Sequence, residues 1–171
     1  MPKKFKESYY KTVLGIVTDE DYRLINKFIF RVEENKHAQI DHIVFGEKYF
    51  YAIVSRYFNG NIKGKEEDKD FIFTNRKNKK FYTPNPYSKM NHLLSRLCLT
   101  SGLNPEMLIG IFLVNDDCKV EAQSTSKNIF ICNRKNLKKL IKTFENSGVG
   151  KIKEEQLQNA VLSLDKLNRR K

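Results

Sequence analysis

Residues 37 to 64, HAQIDHIVFGEKYFYAIVSRYFNGNIKG, place one carboxylate, Asp41, in an apolar run and a Val54-Ser55-Arg56 triplet at the end of the next. Successive side chains on a strand alternate faces, so positions 54 and 56 point the same way. An acid and a lysine at two such positions, joined by an acid from the neighbouring strand, would hold Mg²⁺ and support the charge that develops on a phosphoryl group under attack by water. Val54 has no metal-binding atom. Arg56 stays charged near neutral pH, so it can hold a phosphate but cannot act as a base. Two readings stand at this point: a metal-dependent site that has lost a ligand, or an ordinary hairpin.

The elements needed to position these residues follow from hydrophobic pattern and turn chemistry. Tyr9, Val13, Leu14 and Ile16 suggest a short first helix closed near Gly15, followed by a polar turn at residues 18 to 21. Residues 22 to 32 alternate with both sets partly apolar, as a strand covered on both faces would. Residues 38 to 45 and 48 to 58 form two more strands, turned at Gly46-Glu47. Beyond Gly60 the chain is charged and irregular, with a short strand and a second hairpin turned at Asn75 to Lys80, expected as an excursion on the sheet margin. Asn85-Pro86 leads into a helix whose Met90, Leu93, Leu94 and Leu97 form one face; residues 107 to 114 read as a buried strand and 128 to 132 as a short one. Helices return at Leu137 to Phe144 and at Leu157 to Leu167. The expected fold is α/β, with residues 1–148 as the main domain and 149–171 as an amphipathic helix and basic tail.

Composition narrows the partners. The 171 residues carry 32 Lys and Arg against 20 Asp and Glu, a net charge of +12, and such an excess attracts polyanions, nucleic acids foremost. The bland reading is compositional bias toward Lys and Asn. No apolar run approaches the ~18 residues that a membrane span needs, and Glu7 and Ser8 follow the N-terminal lysines where an export signal would be apolar. A cytoplasmic protein without membrane partners is expected. Cys98, Cys118 and Cys132 are widely spaced and lack a CxxC pair, so they read as reduced, small hydrophobes.

The order helix, three strands, excursion, helix, strand, strand, helix, together with Gln39-Ile40-Asp41-His42, resembles the NERD family of nuclease-related domains, placed in the PD-(D/E)XK nuclease superfamily. The family's signature continues through a second apolar strand ending Glu-Thr-Lys, then an aromatic residue and a Gly. Asn85-Pro86 resembles its Asn-Pro element and Glu7 its N-terminal glutamate, the whole likeness running from about residue 5 to 145. The resemblance implies a restriction-endonuclease-like core and a Mg²⁺-dependent site at Asp41, with Glu7 as a second carboxylate. Aligned on Ile53 and Gly60, however, the family's Glu-Thr-Lys falls on Val54-Ser55-Arg56, and its Gln after Asn-Pro falls on Lys89. The expectation is therefore a degenerate catalytic site at Asp41, Arg56, Val54 and Glu7, binding Mg²⁺ at Asp41 weakly or not at all.

On this reading the chain is a pseudoenzyme that binds nucleic acid, DNA ahead of RNA, or a partner. Its nucleic-acid contacts are expected at Arg56, Lys63, Lys65, Arg76, Lys77 and Lys89. One alternative is an active Mg²⁺-dependent nuclease in which Glu7, Glu66, Glu67 or Asp68 has migrated to Asp41. Another is a regulatory protein acting through residues 152–168, whose apolar stripe would join a second copy or another protein. Asp41 also has a purely structural reading, as a strand-end carboxylate satisfied by backbone N–H groups. Tyr49, Phe50, Tyr51, Tyr57 and Phe58 divide between base stacking and core packing.

Overall fold

The computed structural model describes residues 3–169; Arg170 and Lys171, the end of the expected basic tail, lie outside the described residues. Helix α1 spans Lys3–Asp19 and buries Phe5, Tyr9, Val13, Ile16 and Val17 along one stripe. It passes straight through Gly15, which was expected to close it. A helical glycine costs about 1 kcal/mol against alanine, and the buried stripe on both sides of it outweighs that.

Strands β1 (Arg23–Glu33), β2 (Lys36–Phe45) and β3 (Phe50–Arg56) form the expected antiparallel meander. Strand β7 (Leu108–Val114) lies parallel beside β3, and β9 (Ile129–Asn133) parallel beside β7, giving the sheet order β1-β2-β3-β7-β9. All seven residues of β7 are buried, as its unbroken apolar run requires. Helix α2 (Pro86–Ser101) covers one face of this sheet. Helices α1 and α3 (Arg134–Glu145) cover the other.

The region expected on the sheet margin is instead a separate sheet. Strands β4 (Gly60–Lys65), β5 (Asp70–Asn75) and β6 (Lys80–Pro84) join β8 (Val120–Gln123) in the order β6-β5-β4-β8. Ile62 and Phe71 tie its inner face into the main core. Strand β8 escapes the sequence reading because only Val120 and Ala122 face inward and its partner β4 is remote along the chain.

Asn85 locks the start of α2. Its side-chain oxygen accepts the Tyr87 N–H at 2.9 Å, while its amide nitrogen donates toward the carbonyls of Lys65, Glu66 and Asp68 at 3.2, 2.9 and 2.6 Å. Pro86 follows at a position where the missing N–H costs nothing. Asn85 is 2% exposed, so its amide depends on these partners. Farther along, α2 lies so close to β7 that a Cβ on Gly110 would stand 2.5 Å from Met90 Cγ.

Helix α4 (Glu154–Leu167) closes the structure. Ala160 and Leu164 are buried in the main core, with Leu157, Val161 and Leu167 packed against it. The stripe considered for self-association therefore faces the protein's own interior. The helix is tied at both ends: Ile152 N–H donates to Glu47 O at 2.7 Å, and Arg169 N–H donates to Ile29 O at 2.7 Å while Asn168 Oδ1 accepts the Ile29 N–H. These last two bonds cover part of the open edge of β1. The three cysteines are free thiols, and burial pushes Cys118 up to about 11 and Cys132 up to about 12. No described helix is long and apolar enough to cross a membrane.

Three stability outcomes follow, the two substitutions read by urea titration and the truncation by thermal melt. Leu164→Ala should cost about 2–5 kcal/mol, and removing the chain after Gly150 should lower the melting temperature sharply without changing the mass by light scattering. Asn85→Ala, which removes both the donor to three loop carbonyls and a helix cap, should cost about 2–4 kcal/mol, and Asn85→Asp should restore the cap but not the donor. Wild-type stability in Leu164→Ala would contradict the packing of α4.

Candidate functional site

Val54 and Arg56 stand two residues apart on β3 and share the face covered by α2. The parallel register with β7 sets Phe112 beside Val54. Helix α2 contributes Lys89 and His92, three residues apart and hence on one side of the helix, together with Met90 and Leu93. The β1–β2 hairpin adds Val32, His37, Ala38 and Gln39. These groups enclose a cavity of about 350 Å³. Its floor is apolar, its rim carries Arg56, Lys89, two histidines and an amide, and among the described residues no carboxylate lines it.

The electrostatics of the rim are unbalanced. Among the described residues neither Arg56 nor Lys89 forms an ion pair. Lys89 remains solvent-accessible, yet partial loss of water around its ammonium and, second, the neighbouring Arg56 charge lower its pKa from the ordinary lysine value. The fold holds the two cations near each other regardless, because Lys89 N–H bonds to Asn85 O at 3.0 Å in the first turn of α2 and Asn85 is itself clamped. An anion between them would relieve that repulsion.

Asp41 sits just outside this cavity. The β2–β3 ladder ends at His42↔Ile53, and beyond it Asp41 Oδ2 accepts the Ser55 backbone N–H at 2.7 Å while Oδ1 accepts the Gln39 amide at 3.0 Å. The carboxylate replaces a strand partner at the point where β2 leaves β3. There β2 also turns over: Ile40 and Ile43, three residues apart, reach the same core, and the β1–β2 register passes from Asn26↔His42 to Phe28↔Ile40 around Lys27, whose φ is 52°. His42 is 8% exposed, with Nδ1 2.7 Å from Asn26 Oδ1, and burial lowers its pKa against a weaker opposing pull from Asp41. It is a packed, hydrogen-bonded histidine.

The other acids do not gather at Asp41. Glu7 is exposed on α1, the helix on the far sheet face. Glu66 accepts from Ser124 Oγ and the Thr125 N–H, and Asp68 from the Lys65 N–H, so both are engaged in their own loops. Glu67 is exposed. Among the described residues no three His, Cys, Asp or Glu side chains come together as a metal cage. The magnesium that the family resemblance implies therefore does not fit the groups present, since Mg²⁺ requires several convergent oxygens and Val54 supplies none.

Of the expected nucleic-acid contacts, Arg56 and Lys89 meet in the cavity. Lys63 and Lys65 lie on the second sheet, Lys63 3.7 Å from Glu121. Arg76 pairs with Asp117 at 2.7 Å and Lys77 is at the β5–β6 turn. The five aromatic residues considered for stacking are all engaged internally: Phe50 and Tyr51 are buried, Tyr49 packs on Phe144, Tyr57 on Phe5, and Phe58 on Phe73 and Phe112. Sequence reasoning missed His37, His92 and the apolar floor as parts of the site. The spacing of Lys89 and His92 on α2 was the available signal.

A model of the nuclease-related domain, NERD, matches residues 5–111. No curated protein matches this chain. Among solved structures, the crystal structure of the protein of unknown function AF1548 is similar over 93% of this chain and 91% of that one, at 9% identity and a TM-score of 0.39. The family match covers most of the chain, including the meander that bears Asp41 and Arg56 and the helix that bears Lys89. This chain belongs to the nuclease-related domain family.

Proposed function

We propose that this protein is a nuclease-related domain that holds nucleic acid at its former hydrolytic site without cutting it. The observation that carries the reading is the convergence of Val54, Arg56 and Lys89 on one cavity that, among the described residues, no carboxylate lines. These are the positions at which the sequence departs from the family signature. Loss of the acid at 54 removes a metal ligand, and Lys89 in place of Gln adds a cation beside Arg56. Together they convert a site for a divalent cation into one for a phosphodiester. Arg56 suits the new task, since a guanidinium offers a planar fork of donors to phosphate oxygens.

The net charge of +12 supports the same partner by drawing polyanions to the surface. DNA is the nucleic acid we assign, with RNA as the comparison. No observation favours a migrated carboxylate, because Glu66 and Asp68 have other partners, nor a partner helix, because α4 packs inward.

Labelled DNA and RNA incubated with Mg²⁺ or Mn²⁺ should be retained and remain intact. Affinity should fall steeply as salt rises, with a logarithmic slope of roughly 0.9 per duplex phosphate neutralised. Arg56→Ala and Lys89→Ala should each weaken binding by about 10-fold or more, the effect of losing a charge-assisted hydrogen bond. Metal-dependent cleavage that disappears in Asp41→Ala, or no retention at low salt, would overturn the reading.

A further inference from the structure

The cavity contains more than a phosphate needs. A phosphodiester held only by two cations requires a polar groove, whereas here Arg56 and Lys89 stand over a floor made of Val54, Phe112, Met90 and Leu93. Val54 is 9% exposed, Phe112 4% and Met90 1%, so their exposed remnants form a recess set into the core. Its volume, about 350 Å³, lies at the small end of the range for ligand pockets. It is sized for one nucleotide unit rather than a length of duplex.

From this pairing of a cationic rim with an apolar floor, we propose that the cavity seats a single nucleotide: its phosphate on Arg56 and Lys89, its base on the Val54–Phe112–Leu93 floor. The inference rests on the cationic reading of the site and names its ligand. A base inside an intact duplex is stacked and paired and cannot reach such a floor, while an unpaired base or a 5′-terminal nucleotide can. Valine at position 54 is then more than a lost ligand. A carboxylate there would repel the phosphate and leave a buried charge under the base, whereas the valine methyl groups complete the apolar surface. Gln39 and His92 on the rim offer polar atoms within the same enclosure for the edge of the base.

A free mononucleotide and a nucleotide at a strand end share this chemistry, so the test carries both. Amide-resolved NMR titrations of the full chain would use inorganic phosphate, deoxyadenosine, deoxyadenosine 5′-monophosphate, a short 5′-phosphorylated single strand and a blunt unphosphorylated duplex. The monophosphate should bind at least about 10-fold tighter than phosphate and perturb Arg56, Lys89 and Leu93 together. Leu93→Ala and Val54→Ala should bring the affinity for the monophosphate down to that for phosphate, and the amide spectrum of each free variant reports that it remains folded. Tighter binding of the single strand than of the monophosphate identifies a strand end as the natural ligand, and the reverse identifies a free nucleotide. Equal affinity for phosphate and monophosphate at Arg56 and Lys89 would overturn the nucleotide seat while sparing the cationic reading. No perturbation of Arg56 or Lys89 by any probe would remove both.

Discussion

The geometry of the cavity depends on the amide of Asn85. One side chain, 2% exposed, draws in the carbonyls of the β4–β5 loop and caps α2. It thereby joins the second sheet to the helix that delivers Lys89. The arrangement needs an amide: a carboxylate accepts but cannot donate to the loop, and alanine does neither. Once α2 begins at Pro86, Lys89 falls one turn later and His92 one turn after that, both toward the end of β3. The close approach of α2 at Gly110 holds the same helix against β7. The position of a cation is therefore set by a neutral hydrogen-bond cluster and by packing, which is why two like charges can stand near each other although neither pairs with an acid among the described residues.

Asp41 is the counterpart on the other side of the site. In a metal-dependent nuclease a carboxylate here would face an ion. In this chain its oxygens accept the Ser55 N–H and the Gln39 amide, both neutral donors, and it holds β3 where β2 peels away. The carboxylate thus shapes the cavity from outside it. A backbone in the left-handed region at Lys27 marks the same junction, a conformation that costs a non-glycine residue roughly 1 kcal/mol and persists because the strands on either side are well paired. On the proposed reading the two chemistries oppose each other: an acid fewer at such a site makes a phosphate easier to hold and a magnesium ion harder.

Much of the fold is legible in local pattern. The meander, the Met90 to Leu97 stripe and the apolar run of β7 each carry their period within a few residues. What local pattern cannot supply is pairing across distance: β8 is four residues whose partner β4 lies far along the chain, so the second sheet appears only when both are placed. Gly15 shows the converse error, a local stop signal overridden by tertiary burial. Strand alternation put positions 54 and 56 on one face, and Lys89 was reached only through the family resemblance, as the residue aligned with the Gln after Asn-Pro. Asp41's turn toward the β3 backbone was not, because nothing about Lys27 announces a left-handed residue opposite it.

The central claim is that the cation pair, rather than a metal, holds the phosphate. Its most direct measurement is the NMR signal of the Arg56 side-chain Nε–H, titrated with a short oligonucleotide in metal-free buffer containing EDTA. The account predicts a saturating shift under those conditions that is lost in Lys89→Ala. A signal that stays unmoved until Mg²⁺ is supplied in excess of the chelator would contradict it.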